Sequence, residues 1–165
     1  AERLKELTRE EFEGMMVENS DEPYALEISR VVMSHLRKGK PVETTKDLYN
    51  CIEEALSFIP EKERKEAVKK SCQRTFQALR IDVNSEFEVL DRFLESLPDV
   101  LVSGGRVAIL TFHSGEDRLV KKSFKKFLKQ GVYSEVAQDV IRPSAKECAE
   151  NPRAKSTKMR WAVKA

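Results

Sequence analysis

The stretch GGRVAILTFHSGEDRLVKK, Gly104–Lys122, decides how the rest of the chain is read. Ser103-Gly104-Gly105 is turn chemistry, and VAILTF (Val107–Phe112) is a continuous apolar run of strand length. From about Glu116 to Gln130 the pattern is a charged amphipathic helix, stopped by Gly131. A strand this apolar is expected to be covered on both faces. It ends in His113 and Ser114, and in α/β sheets ligands gather outside the carboxyl ends of strands. Ser114 is expected to be the N-cap of the helix, and Asp117 in the first turn suits the helix dipole. His113 is either a ligand-facing group or a structural one. A Ser-His-Asp triad does not follow, because adjacent strand residues point to opposite faces.

Working upstream, the first hundred residues read as helices. Thr8 and Glu11 form a capping box ahead of Phe12, Met15 and Met16. Asp21 and Pro23 open a second helix carrying Tyr24, Ile28, Val31, Val32 and Leu36, which Gly39 and Pro41 end. Thr44 or Thr45 caps a third, with Leu48, Cys51, Ile52, Ala55 and Leu56 inward. Pro60 restarts the chain in the charged helix EKERKEAVKK. Phe76, Leu79, Val83, Phe87, Leu90, Leu94 and Leu97 then predict one long amphipathic helix ending near Pro98.

Downstream, residues 132–142 suggest a short strand, and Pro143–Thr157 a loop with a short helix capped by Ser144. Met159, Trp161 and Val163 alternate with Arg160 and Lys164, predicting a closing strand with one polar face. The expected fold class is α/β: a helical part, then helix–strand–helix–strand–strand with about three strands. Three are few for an α/β sheet. The Val107–Phe112 edge is therefore expected to pair with a second copy or a partner chain, to be capped locally, or to aggregate.

The 165 residues carry 30 basic and 28 acidic side chains, a net charge of +2, and 40% are hydrophobic. That composition is globular, and no apolar run approaches a membrane span. AERLKELTREE has no apolar core and no starting Met, so it suggests an excised chain rather than a signal peptide. The region from Arg118 onward is rich in Lys and Arg and could face phosphates. Cys51, Cys72 and Cys148 are odd in number and unpaired in spacing, which argues against zinc and for a reducing compartment. The cytoplasm is expected, with chloroplast or mitochondrion as the alternative. The six glycines form neither GxGxxG nor a P-loop.

Two polar clusters remain. Gln73, Gln77, Arg80 and Asn84 follow at helical spacing and share one face; they suit a base edge or a phosphate, or tether two subdomains. In NPRAKSTKMRW (Asn151–Trp161), Arg153, Lys155, Lys158 and Arg160 stand among Ser156 and Thr157, a mixture suited to an RNA backbone or to a solvated loop.

Taken together, RTFQALRIDVNSEFEVL (Arg74–Leu90), GGRVAILTFHSGEDRLVK (Gly104–Lys121) and NPRAKSTKMR (Asn151–Arg160) resemble the bacterial MraW family, also called RsmH. KPVETTKDLYNCIEEAL is similar, more loosely, to that family's helical insertion. The resemblance implies an S-adenosylmethionine-dependent methyltransferase acting on N4 of a cytidine in small-subunit ribosomal RNA. It implies a helical substrate-recognition subdomain over 1–72 and the C-terminal part of a Rossmann-like methyltransferase domain over 73–165. Gln77, Arg80, Asn84, His113, Ser114, Asp117 and Arg118 would line the cleft, and Arg153, Ser156, Lys158 and Arg160 would hold RNA. Family members are nearly twice as long, with a cofactor-binding N-terminal half that has no counterpart here. This chain alone is therefore expected to be inactive, or to be a non-enzymatic RNA-binding module derived from the family. Gly115 departs from the family's usual Leu before Glu-Asp-Arg.

Overall fold

The computed structural model describes residues 1–165, which divide into two compact units, Ala1–Glu86 and Phe87–Ala165. A boundary at 72/73 would fall inside a helix that runs unbroken to Asn84.

The first unit is all helical: α1 (Glu2–Glu6), α2 (Arg9–Ser20), α3 (Ala25–Arg37), α4 (Thr45–Ala55) and α5 (Glu61–Asn84). Two capping boxes start helices as the sequence suggests. Glu11 N–H donates to Thr8 Oγ1 at 3.2 Å while Thr8 N–H donates to Glu11 Oε2 at 2.8 Å. Thr44, rather than Thr45, pairs with Asp47 in the same way. Each box satisfies donors that the first helical turn leaves orphaned. Asp21 does not open α3; it closes α2 in the left-handed region at φ 51°, and Tyr24 sits at the start of α3. The core joins Phe12 and Met16 of α2, Ile28 and Val32 of α3, Ile52 of α4 and Leu56 just after it, and Val68 and Ala78 of α5, all buried.

The predicted long helix through Phe76–Leu97 is two helices. Ser85 adopts φ 50°, ψ 40°, and the chain restarts as α6, Glu86–Val100. A non-glycine residue in this region breaks the ladder of i→i−4 bonds whatever the apolar period says. Pro98 lies inside α6 near its end and is buried.

The second unit continues with β1 (Arg106–Thr111), α7 (Ser114–Lys129), β2 (Tyr133–Val136), α8 (Ala145–Glu150), a 3₁₀ turn (Pro152–Ser156) and β3 (Lys158–Lys164). The turn into β1 needs its glycines: Gly104 has φ 74°, and a Cβ on Gly105 would meet the Val102 carbonyl oxygen at 2.7 Å. The sheet order is β1–β3–β2, with β3 antiparallel to both neighbours. β1 and β2, joined through α7, therefore run parallel with β3 inserted between them. Leu94 and Leu97 of α6, Val120, Phe124 and Phe127 of α7, Tyr133, Val136 and Ala162 form the core.

The sheet corrects two expectations. Register places Val107 beside Ala162 and Ile109 beside Arg160 on the core-facing side, so Leu110 and Met159 share the opposite side. On that side Leu110 is 58% exposed, and Phe112, just past the strand, is 56% exposed. VAILTF is thus covered on one face, not two. In β3 the phase is inverted, with Arg160 and Ala162 buried and Met159, Trp161 and Val163 partly open. β1 is the outermost strand and pairs only with β3. No helix is long and apolar enough to cross a membrane.

Candidate functional site

The polar cluster at the carboxyl end of β1 is built by the start of α7. His113, not Ser114, is the N-cap: its Nδ1 accepts from Glu116 N–H at 3.5 Å. An accepting Nδ1 requires the neutral tautomer with its proton on Nε2. That Nε2 lies 3.3 Å from Glu116 Oε1, close enough for electrostatic contact but outside hydrogen-bond geometry. Glu116 Oε2 accepts from Phe112 N–H at 2.9 Å, so His113 and Glu116 close a reciprocal cap one residue wider than a capping box.

The His113 ring, together with the Phe112 and His113 backbone, pulls the Glu116 carboxyl down to about 2 against the opposing push of burial. The Phe112 bond is the firmer contribution, since it has full hydrogen-bond geometry and the ring contact does not. A carboxylate held this low is ionised at any physiological pH and is a weak proton acceptor.

The next carboxylate is equally committed. Asp117 is 8% exposed and receives a two-pronged bond from Arg160, Nε to Oδ1 at 2.8 Å and Nη2 to Oδ2 at 3.2 Å. Lys158 Nζ stands 3.7 Å from Oδ2. Burial pushes the Asp117 carboxyl up, but Arg160 and Lys158 outweigh it and hold it below the usual range. Arg160, expected to hold RNA, is itself only 7% exposed and clamps β3 to α7. Lys158 is partly drawn into the same cluster. Arg153 and Ser156, from the same run, are exposed on the 3₁₀ turn. Ser114 and Arg118 are exposed on the first turns of α7.

Gly115 has a physical reason that its neighbours in sequence do not reveal. A Cβ there would meet Phe87 Cζ at 2.5 Å and His113 Nδ1 at 3.2 Å. The Phe87 ring also lies against His113 with centroids 5.9 Å apart. The glycine therefore makes room for an aromatic that supports the capping histidine.

The same geometry bears on the implied S-adenosylmethionine. A nucleoside-bearing ligand at a strand end needs free backbone donors and an open glycine face. Here Phe112 N–H and Glu116 N–H are bonded internally, and the Gly115 face is filled by Phe87. Two backbone donors and the glycine face of this strand end are thus already spent within the chain rather than open to the methyl donor.

In the helical unit, the predicted polar stripe is largely consumed by its own surroundings. Arg80 donates to both oxygens of Glu86, from Nε at 2.9 Å and from Nη2 at 3.1 Å, and Asn84 Nδ2 adds a bond at 3.3 Å. The pair straps the chain across the Ser85 break. Gln77 Nε2 donates to the Asn19 carbonyl at 3.4 Å, while Gln73 is exposed.

Two further groupings have no signature in the sequence. Cys51 Sγ lies 3.6 Å from His35 Nδ1, and His35 Nε2 lies 2.9 Å from Glu54 Oε2. The order mimics a nucleophile, base and orienting acid, but Cys51 is buried and burial pushes its thiol up, so it is not an activated nucleophile. Glu22 is buried, accepting from Ser71 Oγ at 2.8 Å and Tyr24 N–H at 3.0 Å, and it braces α3 against α5. Spacing alone could not reveal either, because each needs a residue brought in from a distant element: His35 of α3 in one, Ser71 of α5 in the other.

The model of the MraW methylase family matches residues 1–165. The chain is 64% identical over 165 residues to "Ribosomal RNA small subunit methyltransferase H 1" of Lachnoclostridium phytofermentans, covering 100% of this chain and 45% of that protein. It is 61% identical over 165 residues to the protein of the same name from Agathobacter rectalis, covering 100% of this chain and 47% of the relative. A protein of Pseudothermotoga lettingae named "Ribosomal RNA small subunit methyltransferase H" is 43% identical over 139 residues, 84% of this chain and 44% of its own length. The chain spans about half the length of the curated relatives it matches.

Proposed function

The chain belongs to the MraW methylase family, and on that premise we propose that it is part of an S-adenosylmethionine-dependent methyltransferase acting on N4 of a cytidine in small-subunit ribosomal RNA. The observation that carries this is the 64% identity across the whole chain to a relative named as a small-subunit ribosomal RNA methyltransferase.

N4 of cytosine is a poor nucleophile because its lone pair is delocalised into the ring. Methylation therefore needs a base out of any stack, fixed in place, with water excluded. The β1 strand end contributes a rigid wall against which such a base is held. His113, Ser114, Asp117 and Arg118 sit there on a helix start whose cap and buried ion pair leave little freedom. Neither carboxylate of this wall is tuned to take a proton near neutral pH. The proton acceptor and the methyl donor are assigned to family segments outside this chain. The outer edge of β1 and its apolar face, with Leu110 and Phe112, meet those segments. Arg153, Ser156 and Lys158 contact RNA, while Arg160 acts through the position of β3.

Grafting this chain in place of the matching segment of the Lachnoclostridium phytofermentans relative tests the reading. The chimera should methylate a cytidine N4 in small ribosomal subunits, detected by mass spectrometry of nuclease digests. A folded chimera that leaves the RNA unmodified overturns the proposal. Titration calorimetry of this chain with S-adenosylmethionine should show no binding; one-to-one binding would overturn the assignment of the donor site elsewhere.

A further inference from the structure

We propose that the groove between α4 and α5 of the helical unit is a docking surface for single-stranded RNA. The inference rests on the ribosomal RNA reading above and adds a second contact surface to it. The open groove has a volume of ≈ 840 Å³ and is lined by Tyr49 of α4 and by Lys62, Lys65, Lys69, Gln73 and Phe76 of α5, with Cys72 and one acid, Glu66, also in its wall.

Three observations select this occupant. The α5 residues follow at three, four, four and three, so they form one continuous stripe down the helix. At 1.5 Å rise per residue the stripe from Lys62 to Phe76 is about 21 Å long, room for up to about six stacked nucleotides. None of the three lysines is within ion-pair distance of an acid, and all are exposed. The one acid in the lining, Glu66, pairs with Lys70 at 3.5 Å, and Glu53 accepts from Tyr49 Oη at 3.5 Å. Free cations in a row match a phosphodiester chain.

The third observation is aromatic. Tyr49 is 41% exposed, and Phe76 is partly buried at the other end of the stripe. Bases stack on such rings regardless of sequence, and Gln73 offers both a donor and an acceptor to a base edge. The other large groove of this unit lacks the combination. It has no aromatic lining, and its Lys5 and Arg9 are paired with Glu2, Glu43, Glu10 and Glu13.

The test uses the full chain and a fluorescein-labelled single-stranded RNA of about 12 nucleotides, read by anisotropy across a salt series. The variants are Lys62→Ala/Lys65→Ala/Lys69→Ala, Tyr49→Leu, and Arg153→Ala/Ser156→Ala; all alter exposed side chains, and thermal unfolding checks that each folds. The triple lysine variant should lower the slope of log K against log salt by about 2, since each single-strand phosphate contact contributes about 0.7. Tyr49→Leu should weaken binding at least about 5-fold by removing a stacking face.

Wild-type RNA binding unchanged by the triple and Tyr49 variants, but lost in Arg153→Ala/Ser156→Ala, overturns the groove and leaves the ribosomal RNA reading standing. No RNA binding by the wild-type chain at low salt overturns the groove and also counts against RNA contact by this chain. If polyglutamate displaces the RNA from the groove at equal charge concentration, and Tyr49→Leu has no effect, the surface is one for acidic protein and the proposal fails.

Discussion

Replacing Asp117 by Asn removes the one carboxylate that compensates two cations inside the second unit. Arg160 keeps a guanidinium that is 7% exposed, and Lys158 Nζ stays where it lay 3.7 Å from the lost charge. At an effective dielectric of about 20, unit charges about 4 Å apart attract by about 4 kcal/mol. Removing one partner of a buried pair costs about 3–5 kcal/mol, because the survivor is left charged and desolvated. A unit of roughly eighty residues has a total stability of only about 4–12 kcal/mol. Asp117→Asn should therefore bring Phe87–Ala165 close to the edge of unfolding.

Trp161 is the only tryptophan and follows Arg160 in β3, so its fluorescence in a urea titration reports this transition. With an m-value of about 1.5 kcal/mol/M, the midpoint should fall by about 2–3 M. Added salt should not restore it, since a buried pair is little screened. The double variant Asp117→Leu/Arg160→Met should recover most of the loss, because it removes the buried guanidinium along with its partner and leaves only the partly open Lys158 without a carboxylate. A loss under about 1 kcal/mol for Asp117→Asn, or a double variant as unstable as the single, would refute the view that this ion pair clamps β3 to α7.

Glu116 adds a pH dependence of known sign. Its carboxyl is lowered from its ordinary 4.5 to about 2, so its contribution is complete above about 4.5 and is lost as pH falls toward 2. Unfolding free energies measured across that window should fall less steeply for Glu116→Gln, which at neutral pH should cost at most about 3 kcal/mol; an unchanged acid limb would sink the cap assignment. On the open side of the sheet, Leu110→Lys with Phe112→Lys should reduce self-association of the isolated chain in light scattering while moving its stability by less than about 0.5 kcal/mol. A loss above about 1 kcal/mol would mean those side chains are packed, contrary to their exposure.

Much of the architecture was legible in residue order, because caps, turns and periodicity are local physics. Thr8 with Glu11, Ser144 before α8, Gly131 after α7 and the strand at Val107 all follow from neighbours a few positions away. The three motifs that tie the chain to its family are also contiguous strings, and the family match extends from them over residues 1–165.

Other features depended on partners distant in sequence. Nothing local says that Ser85 adopts a left-handed conformation, since the apolar period runs straight through it; Arg80 and Asn84 meeting Glu86 stabilise that break. Alternation in β3 showed two faces but not which one turns inward. The buried side went to Arg160 because Asp117, forty-three positions earlier, supplies the charge that makes burying a guanidinium tolerable. Sequence by itself determined most of the elements, the family and the polar character of the β1 strand end. Only tertiary structure decided which polar groups are already spent on the fold, because a hydrogen bond or ion pair between distant residues leaves no trace in local spacing.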